Sequence, residues 1–202
     1  MIDQLLRTFP IISDQVDEKE LRVVLEQLEK TLPMTGAIVE FGCYIGTTSL
    51  FIRRVLNEHH DQREFHVYDS FEGLPEKAVQ DASPAGEQFK TGELSVSKKR
   101  FLQEFTKAHL VPPTIHKGWF DQIEANAVPE PIAFAFLDGD YYDSIKDSLT
   151  LIESKLAPGA VIVVDDYANE ALPGAAKAVD EWCQKHGYTP RVAHSLAIIQ
   201  TR

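Results

Sequence analysis

Cysteine is scarce in this chain: Cys43 and Cys183 are the only two among 202 residues. Two thiols are too few for a disulfide scaffold or a thiolate zinc site, and they suit a reduced, cytoplasmic setting. Positive charge is short as well. Lys and Arg number 20 against 31 Asp and Glu, a formal net charge of -11. That balance argues against a nucleic-acid backbone or an anionic membrane surface as the main partner. No apolar run reaches membrane-spanning length, and Met1 to Pro10 lacks the apolar core of a secretory leader. Internal repeats and low-complexity blocks are absent too. Hydrophobic residues at 44% and charged residues at 25% are ordinary for a globular chain, so one domain over 1–202 is expected.

What the chain does have is alternation. The N-terminal 1–35 segment is expected to be helical. In it a helix from about Asp17 to Leu32 puts Leu21, Val24, Leu25 and Leu28 on one face, with Ser13 and Asp14 as candidate caps. A strand Ala37–Phe41, a helix from Thr47 to about Asn57 and a strand Glu64–Tyr68 ending on Asp69 follow. From Glu76 to Ser97 the periodicity dissolves around Pro84, Gly86 and Gly92, so residues 76–97 read as a mobile lid. A helix opens at Lys98-Lys99-Arg100 and runs to His109, and a short strand spans Thr114–His116. Next come a strand Ile132–Leu137, a helix Tyr142–Leu156, a strand Ala160–Val164 and a helix Gly174–His186. Strand-like pieces at Pro190–His194 and Leu196–Thr201 close the chain. This predicts an α/β fold with a doubly wound, mostly parallel, seven-stranded Rossmann-like sheet and an antiparallel edge.

Two of those strands stop abruptly on acids. Ile132–Leu137 runs into Asp138-Gly139-Asp140, and Ala160–Val164 runs into Asp165-Asp166. As neighbours in a βαβ unit, strands lie about 4.8 Å apart, which brings Asp138, Asp165 and Asp166 to one edge of the sheet. Three carboxylates there repel one another unless a cation intervenes, and hard oxygen donors favour Mg²⁺ or another divalent ion. The bland alternative is a set of solvated strand ends.

The first strand-to-helix turn reads Glu40-Phe41-Gly42-Cys43-Tyr44-Ile45-Gly46-Thr47. Gly42 and Gly46 let the backbone pass close to a ligand at a helix N-terminus. The turn is neither a dinucleotide fingerprint nor a phosphate loop. Glu40 is awkward for phosphate but suits an ammonium group, and Asp69 is placed for a ribose diol. A nucleoside with a cationic tail, S-adenosylmethionine, meets both. Two rivals are an NAD(P)-dependent oxidoreductase on a similar fold and a non-catalytic nucleoside-binding module. The glycine spacing opposes the first, and the complete acidic set opposes the second.

Several strings then resemble one family. Val39-Glu40-Phe41-Gly42-Cys43-Tyr44-Ile45-Gly46 and Tyr68-Asp69-Ser70-Phe71-Glu72-Gly73-Leu74-Pro75 are similar to macrocin O-methyltransferases. So are Lys117-Gly118-Trp119-Phe120, Phe136-Leu137-Asp138-Gly139-Asp140-Tyr141-Tyr142, Pro158-Gly159 through Asp165-Asp166-Tyr167, and Gly174 to Trp182. The resemblance implies a metal-dependent class I methyltransferase that moves the methyl of S-adenosylmethionine to a hydroxyl of a small molecule of sugar or natural-product type. It implies Asp138, Asp165 and Asp166 as metal ligands. Glu40, Gly42, Tyr44, Gly46, Thr47, Asp69, Ser70, Gly118, Trp119 and Asp138 would surround the cofactor. Catechol-type enzymes share the metal geometry but carry a lysine base three residues after the first metal aspartate, where this chain has Tyr141. The resemblance therefore makes Asp140 the first candidate for the base, with Tyr141 and His116 behind it. A helix cap is the competing role for Asp140.

Other residues have plainer readings. Trp119 and Phe120 either pack the core or stack on adenine. His59-His60 reads as a surface helix end, and His194 as a strand-end residue. Cys43 has no evident base partner, which argues against a nucleophile. A homo-oligomer is compatible with everything above.

Overall fold

The computed structural model describes residues 1–87 and 89–202; Gln88, inside the expected 76–97 lid, lies outside them. Seven strands form one sheet: β1 (Ala37–Phe41), β2 (Phe65–Asp69), β3 (Thr114–Lys117), β4 (Ile132–Leu137), β5 (Leu156–Val164), β6 (Arg191–Ala193) and β7 (Leu196–Gln200). Their spatial order is β3-β2-β1-β4-β5-β7-β6. The first five pair in parallel, and β7 runs antiparallel to both β5 and β6. The doubly wound sheet with an antiparallel edge is therefore what the alternation predicts.

Six α-helices among the described residues cover the two faces: α1 (Ile2–Thr8), α2 (Glu18–Thr31), α3 (Thr47–Glu58), α4 (Lys98–Lys107), α5 (Tyr142–Ile152) and α6 (Pro173–His186). Alternate strand residues feed two separate cores. Ile38, Phe134, Phe136, Val161 and Val163 pack under α1 to α4, while Val39, Ala135, Leu137, Ile162 and Val164 pack under α5 and α6. β1, β4 and the inner part of β5 are buried on both sides, which is why each reads as a continuous apolar run. No helix among the described residues is long and apolar enough to cross a membrane.

Several boundaries differ from expectation. α1 has no counterpart in the sequence reading, where only a helical N-terminal segment was expected. Asp17, not Ser13 or Asp14, caps α2, accepting from the amides of Lys19 at 2.7 Å and Glu20 at 3.3 Å. α5 ends at Ile152, and Leu156 already belongs to β5, paired with Ile132. The Pro158-Gly159 pair lies outside the expected strand, which starts at Ala160. In the fold it sits within the strand, with Gly159 at φ 81, and the register against β4 shifts between Ile132 and Phe134.

The 76–97 segment contains two short 3₁₀ turns, Val79–Asp81 and Pro84–Gly86. Its described part touches the body at several points. Ser83 Oγ donates to the Glu170 carbonyl at 2.7 Å, and the Leu74 amide donates to the Glu93 carbonyl at 2.8 Å. Leu74, Tyr141 and Leu172 form a small buried cluster, with Phe89 and Leu94 packed on it.

Candidate active site

The sheet's carboxyl edge is continued by single amide-to-carbonyl hydrogen bonds just past the strands. Gly118 donates to the Asp69 carbonyl, Gly42 to Tyr68, Asp138 to Phe41 and Asp165 to Leu137, all at 2.8–3.0 Å. This staircase aligns the loops after β3, β1, β4 and β5 on one rim. Gly42 is the tightest joint. A Cβ there would lie 1.8 Å from the Asp138 carbonyl oxygen, so only glycine, here at φ 84, lets the β1 and β4 loops touch. Four non-glycine residues on the same rim, Tyr44, Phe71, Asp140 and Asp166, hold left-handed φ between 46° and 59°. Such positions cost on the order of 1–3 kcal/mol each and cluster where function dictates geometry.

The rim encloses a cavity of about 330 Å³. Glu40, Gly42, Tyr44, Thr47, Asp69, Ser70, Trp119, Asp138, Asp140, Asp165 and Asp166 all line it. Gly46 and Gly118 are not in its wall. Gly46 instead caps α3 at φ 93 with Phe101 close behind, and Gly118 secures the β2–β3 edge. His116 is also outside the wall. It stacks on Tyr68 and meets His66 at 3.0 Å, and burial lowers its pKa. Trp119 faces the cavity, whereas Phe120 both lines it and sits edge-on to Phe41.

On the β1–β2 side the acids have partners. Ser49 Oγ donates to Glu40 at 2.5 Å, and burial pushes the Glu40 carboxyl up to about 8. Asp69 accepts from the amides of Cys43 at 2.8 Å and Tyr44 at 3.0 Å through one oxygen, and from Phe71 at 2.7 Å through the other. The residue expected to hold a ribose thus also shapes the glycine turn. Cys43 is buried, and its thiol is pushed well up by burial and by Asp69. A thiolate nucleophile is accordingly disfavoured. The Thr47 hydroxyl is buried in the cavity wall with no hydrogen-bond partner among the described residues. An orphan of that kind is what a bound polar ligand would satisfy.

The β4–β5 side is different. Among the described residues Asp138 and Asp140 make no side-chain hydrogen bond, and both carboxyls are pushed well up, first by burial and then by neighbouring carboxylates. Asp165 is raised to about 7 by burial and Asp166, though it accepts from the Asp166 amide at 2.8 Å and Ser195 Oγ at 3.2 Å. Asp166, raised by burial, accepts from Asn169 Nδ2 at 2.8 Å. The alternative role of Asp140 as a helix cap is overturned. The Tyr142 amide at the start of α5 donates to Asp81, at 2.7 Å, and Asp140 is left free.

Among the described residues no Lys, Arg or His lines this cavity, while seven carboxylates do: Glu20, Glu40, Asp69, Asp138, Asp140, Asp165 and Asp166. Glu20 escaped the sequence reading. It arrives from α2 and meets Ser195, in the β6–β7 turn, whose hydroxyl donates to it at 2.5 Å. No local motif marks either residue; only the topology joins them. No group of three or more His, Cys, Asp or Glu side chains among the described residues is arranged to hold a metal ion as it stands. The donor chemistry nonetheless fits one, because these are hard oxygen ligands, most of them half-buried, mutually repelling and without a protein cation among the described residues.

Comparison with known proteins converges on one family. The model of macrocin-O-methyltransferase matches residues 15–195. A tetracenomycin-C 4'-O-methyltransferase of Streptomyces olivaceus, acting on the 8-demethyl-8-(2,3-dimethoxy-alpha-L-rhamnosyl) compound, is 33% identical over 147 residues, 69% of this chain and 56% of its own. Demethyldecarbamoylnovobiocin O-methyltransferase of Streptomyces niveus is 31% identical over 159 residues, covering 74% and 59%. The chain therefore spans under two-thirds of the length of these relatives. The solved O-methyltransferase NovP superposes with a TM-score of 0.80 at 26% identity, over 93% of this chain and 81% of NovP. With residues 15–195 matched, this chain belongs to the macrocin O-methyltransferase family.

Proposed function

We propose that this chain transfers the methyl group of S-adenosylmethionine to a hydroxyl of a small molecule of sugar or natural-product type. The observation that carries the reading is the pair Asp138 and Asp140, unpartnered carboxyls on the cavity rim beside the glycine turn. In the transfer, the acceptor oxygen forms a bond to the methyl carbon as the carbon–sulfur bond breaks. The bonding pair stays on sulfur, and the hydroxyl proton goes to the protein. Displacement from a sulfonium needs alignment at about 3 Å more than it needs covalent help.

Each residue has a part in that scheme. Asp69, with the turn it shapes, would accept from the ribose diol. Glu40 and the orphan Thr47 hydroxyl offer polar contacts to the rest of the cofactor, with Tyr44, Ser70 and Trp119 closing its walls. Asp140, kept free of capping duty, would take the acceptor proton. Asp138, Asp165 and Asp166 would hold Mg²⁺ or another divalent ion. Such an ion, when bound, lowers the pKa of a hydroxyl and fixes its position. The 76–97 segment would act as the lid over bound ligands, with its first half anchored. Free, buried cysteines agree with a cytoplasmic setting.

A cavity with seven carboxylates and no basic side chain also favours an uncharged acceptor over a phosphorylated one. The test is methyl transfer from isotopically labelled S-adenosylmethionine to a panel containing neutral alkyl and aryl rhamnosides, a catechol and a nucleotide-linked rhamnose, with Mg²⁺ and with chelator. Labelled neutral glycoside, dependent on Mg²⁺, is the expected product. Absence of label in every acceptor would overturn the reading, and preference for the nucleotide sugar would overturn the charge argument.

A further inference from the structure

We infer that Asp81 is a positioning residue that ties the 76–97 segment to the Asp138–Tyr142 turn and thereby sets the aim of Asp140. The inference rests on the reading of Asp140 as the base; the tether itself stands on geometry alone. Asp81 is an acid with no solvent exposure, sitting in a segment that looks like loop. Its two oxygens grip two different pieces of chain. One accepts from the Tyr142 amide at 2.7 Å, sixty-one residues ahead, and the other from the Ala78 amide at 2.8 Å.

The bond to Tyr142 replaces the cap that α5 otherwise lacks. Tyr141 occupies the cap position without a side-chain bond, and Asp140, one residue earlier, holds a left-handed φ of 59°. An aspartate next to a bare helix start would ordinarily turn back to cap it. With Asp81 already in that place, the Asp140 carboxylate has no reason to do so and faces the cavity. The fit is closed from behind by Gly174. A Cβ on Gly174 would lie 1.7 Å from the bonded Asp81 oxygen and 2.8 Å from the Tyr142 nitrogen. Any larger residue at 174 would expel Asp81 from its seat. The same carboxylate thus fixes the base and pins the root of the segment above it, so the two are coupled.

The test compares Asp81→Ala, Asp81→Asn, Gly174→Ala and the double variant Asp81→Ala/Gly174→Ala in the full chain. Amide hydrogen exchange is read first. Asp81→Ala and Gly174→Ala should each raise exchange at least tenfold at Tyr142 and at Ala78 together, leaving the β1 and β4 amides protected. Asp81→Asn presents one oxygen and one amide, so it should restore only one of the two ends. The double variant should add little to either single change, since both open the same joint. Turnover is read with the panel glycoside that the native chain methylates best. Asp81→Ala should lower kcat at least tenfold while KM for S-adenosylmethionine and affinity for S-adenosylhomocysteine stay within twofold. Asp81→Asn should fall between. Unchanged exchange at Tyr142, a uniform rise across the sheet, or native kcat in a folded Asp81→Ala protein would each overturn the inference. If the native chain methylates nothing, the functional reading fails while the exchange pattern still decides the tether.

Discussion

On the β1–β2 side of the rim the carboxylates are partnered, Glu40 by Ser49 and Asp69 by three backbone amides. On the β4 side Asp138 and Asp140 have no donor among the described residues, and the strongest charges acting on them are negative. Both sides sit on the same kind of strand end in the same sheet. The first is preorganised, its acids spent on shaping a turn, and it can receive a neutral or cationic ligand without rearranging. The second holds charge in reserve, a state that persists only if protons or cations relieve it.

The sharpest way to break that contrast is to discharge the second side. Asp165→Asn with Asp166→Asn should abolish Mn²⁺ binding and reduce methyl transfer to background, with S-adenosylhomocysteine affinity nearly intact. Calorimetry with each ligand separately checks this, and a joint loss would show that the two sides are not distinct. Next in size is Asp140→Asn, expected to lower turnover by roughly 10²–10⁴, the usual worth of a general base. Because Asp81 and not Asp140 caps α5, the thermal midpoint should not fall. A lower midpoint with native turnover would return Asp140 to a structural role.

How far the contrast was legible in the sequence follows from what each feature depends on. β1 and β4 match the expected spans residue for residue, because a strand buried on both faces writes itself as unbroken apolar sequence. The acids ending β4 and β5 were visible for the same reason. Partnership was not visible. Nothing near Asp69 announces that three amides converge on it, and Glu20, Ser195 and Asp81 reach the rim region from α2, the β6–β7 turn and a segment without periodicity. Such contacts exist only once helices cross the sheet. Pro158-Gly159 lies outside the expected strand but inside β5, where a register shift against β4 accommodates it.

A smaller effect probes the first side. Asp69→Ala should weaken S-adenosylhomocysteine at least tenfold, about 1.4 kcal/mol. It should also destabilise the chain by about 1–3 kcal/mol for each buried amide left without an acceptor. Urea unfolding beside calorimetric titration separates the two losses. Affinity lost without stability would mean that the turn does not need its carboxylate.

The smallest expected effect is on pH. The Glu40 carboxyl is raised in the folded chain from 4.5 to about 8, so folding takes up a proton between those values. Its contribution to stability is complete below about pH 4.5 and is lost as pH rises through about 8, by at most roughly 1.4 kcal/mol per pH unit. The ligand-free protein should therefore melt lower at pH 8 than at pH 6. Glu40→Gln, which keeps an acceptor for Ser49, should make that slope shallower without removing it, because Asp165, raised to about 7, titrates in the same window. An equally steep slope in the variant would place the titration elsewhere on the rim.

The joint at Gly42 bears on how a family of this design diversifies. On the proposed reading, donor pocket and acceptor pocket would meet there backbone against backbone, so their separation would be fixed by atoms that every amino acid shares. Substitutions in the 76–97 segment or in α2 would then remodel the walls that an acceptor meets while leaving the transfer distance alone. Drift in acceptor choice then carries little penalty in chemistry, whereas one methyl group added at position 42 would alter the reach of the transfer itself.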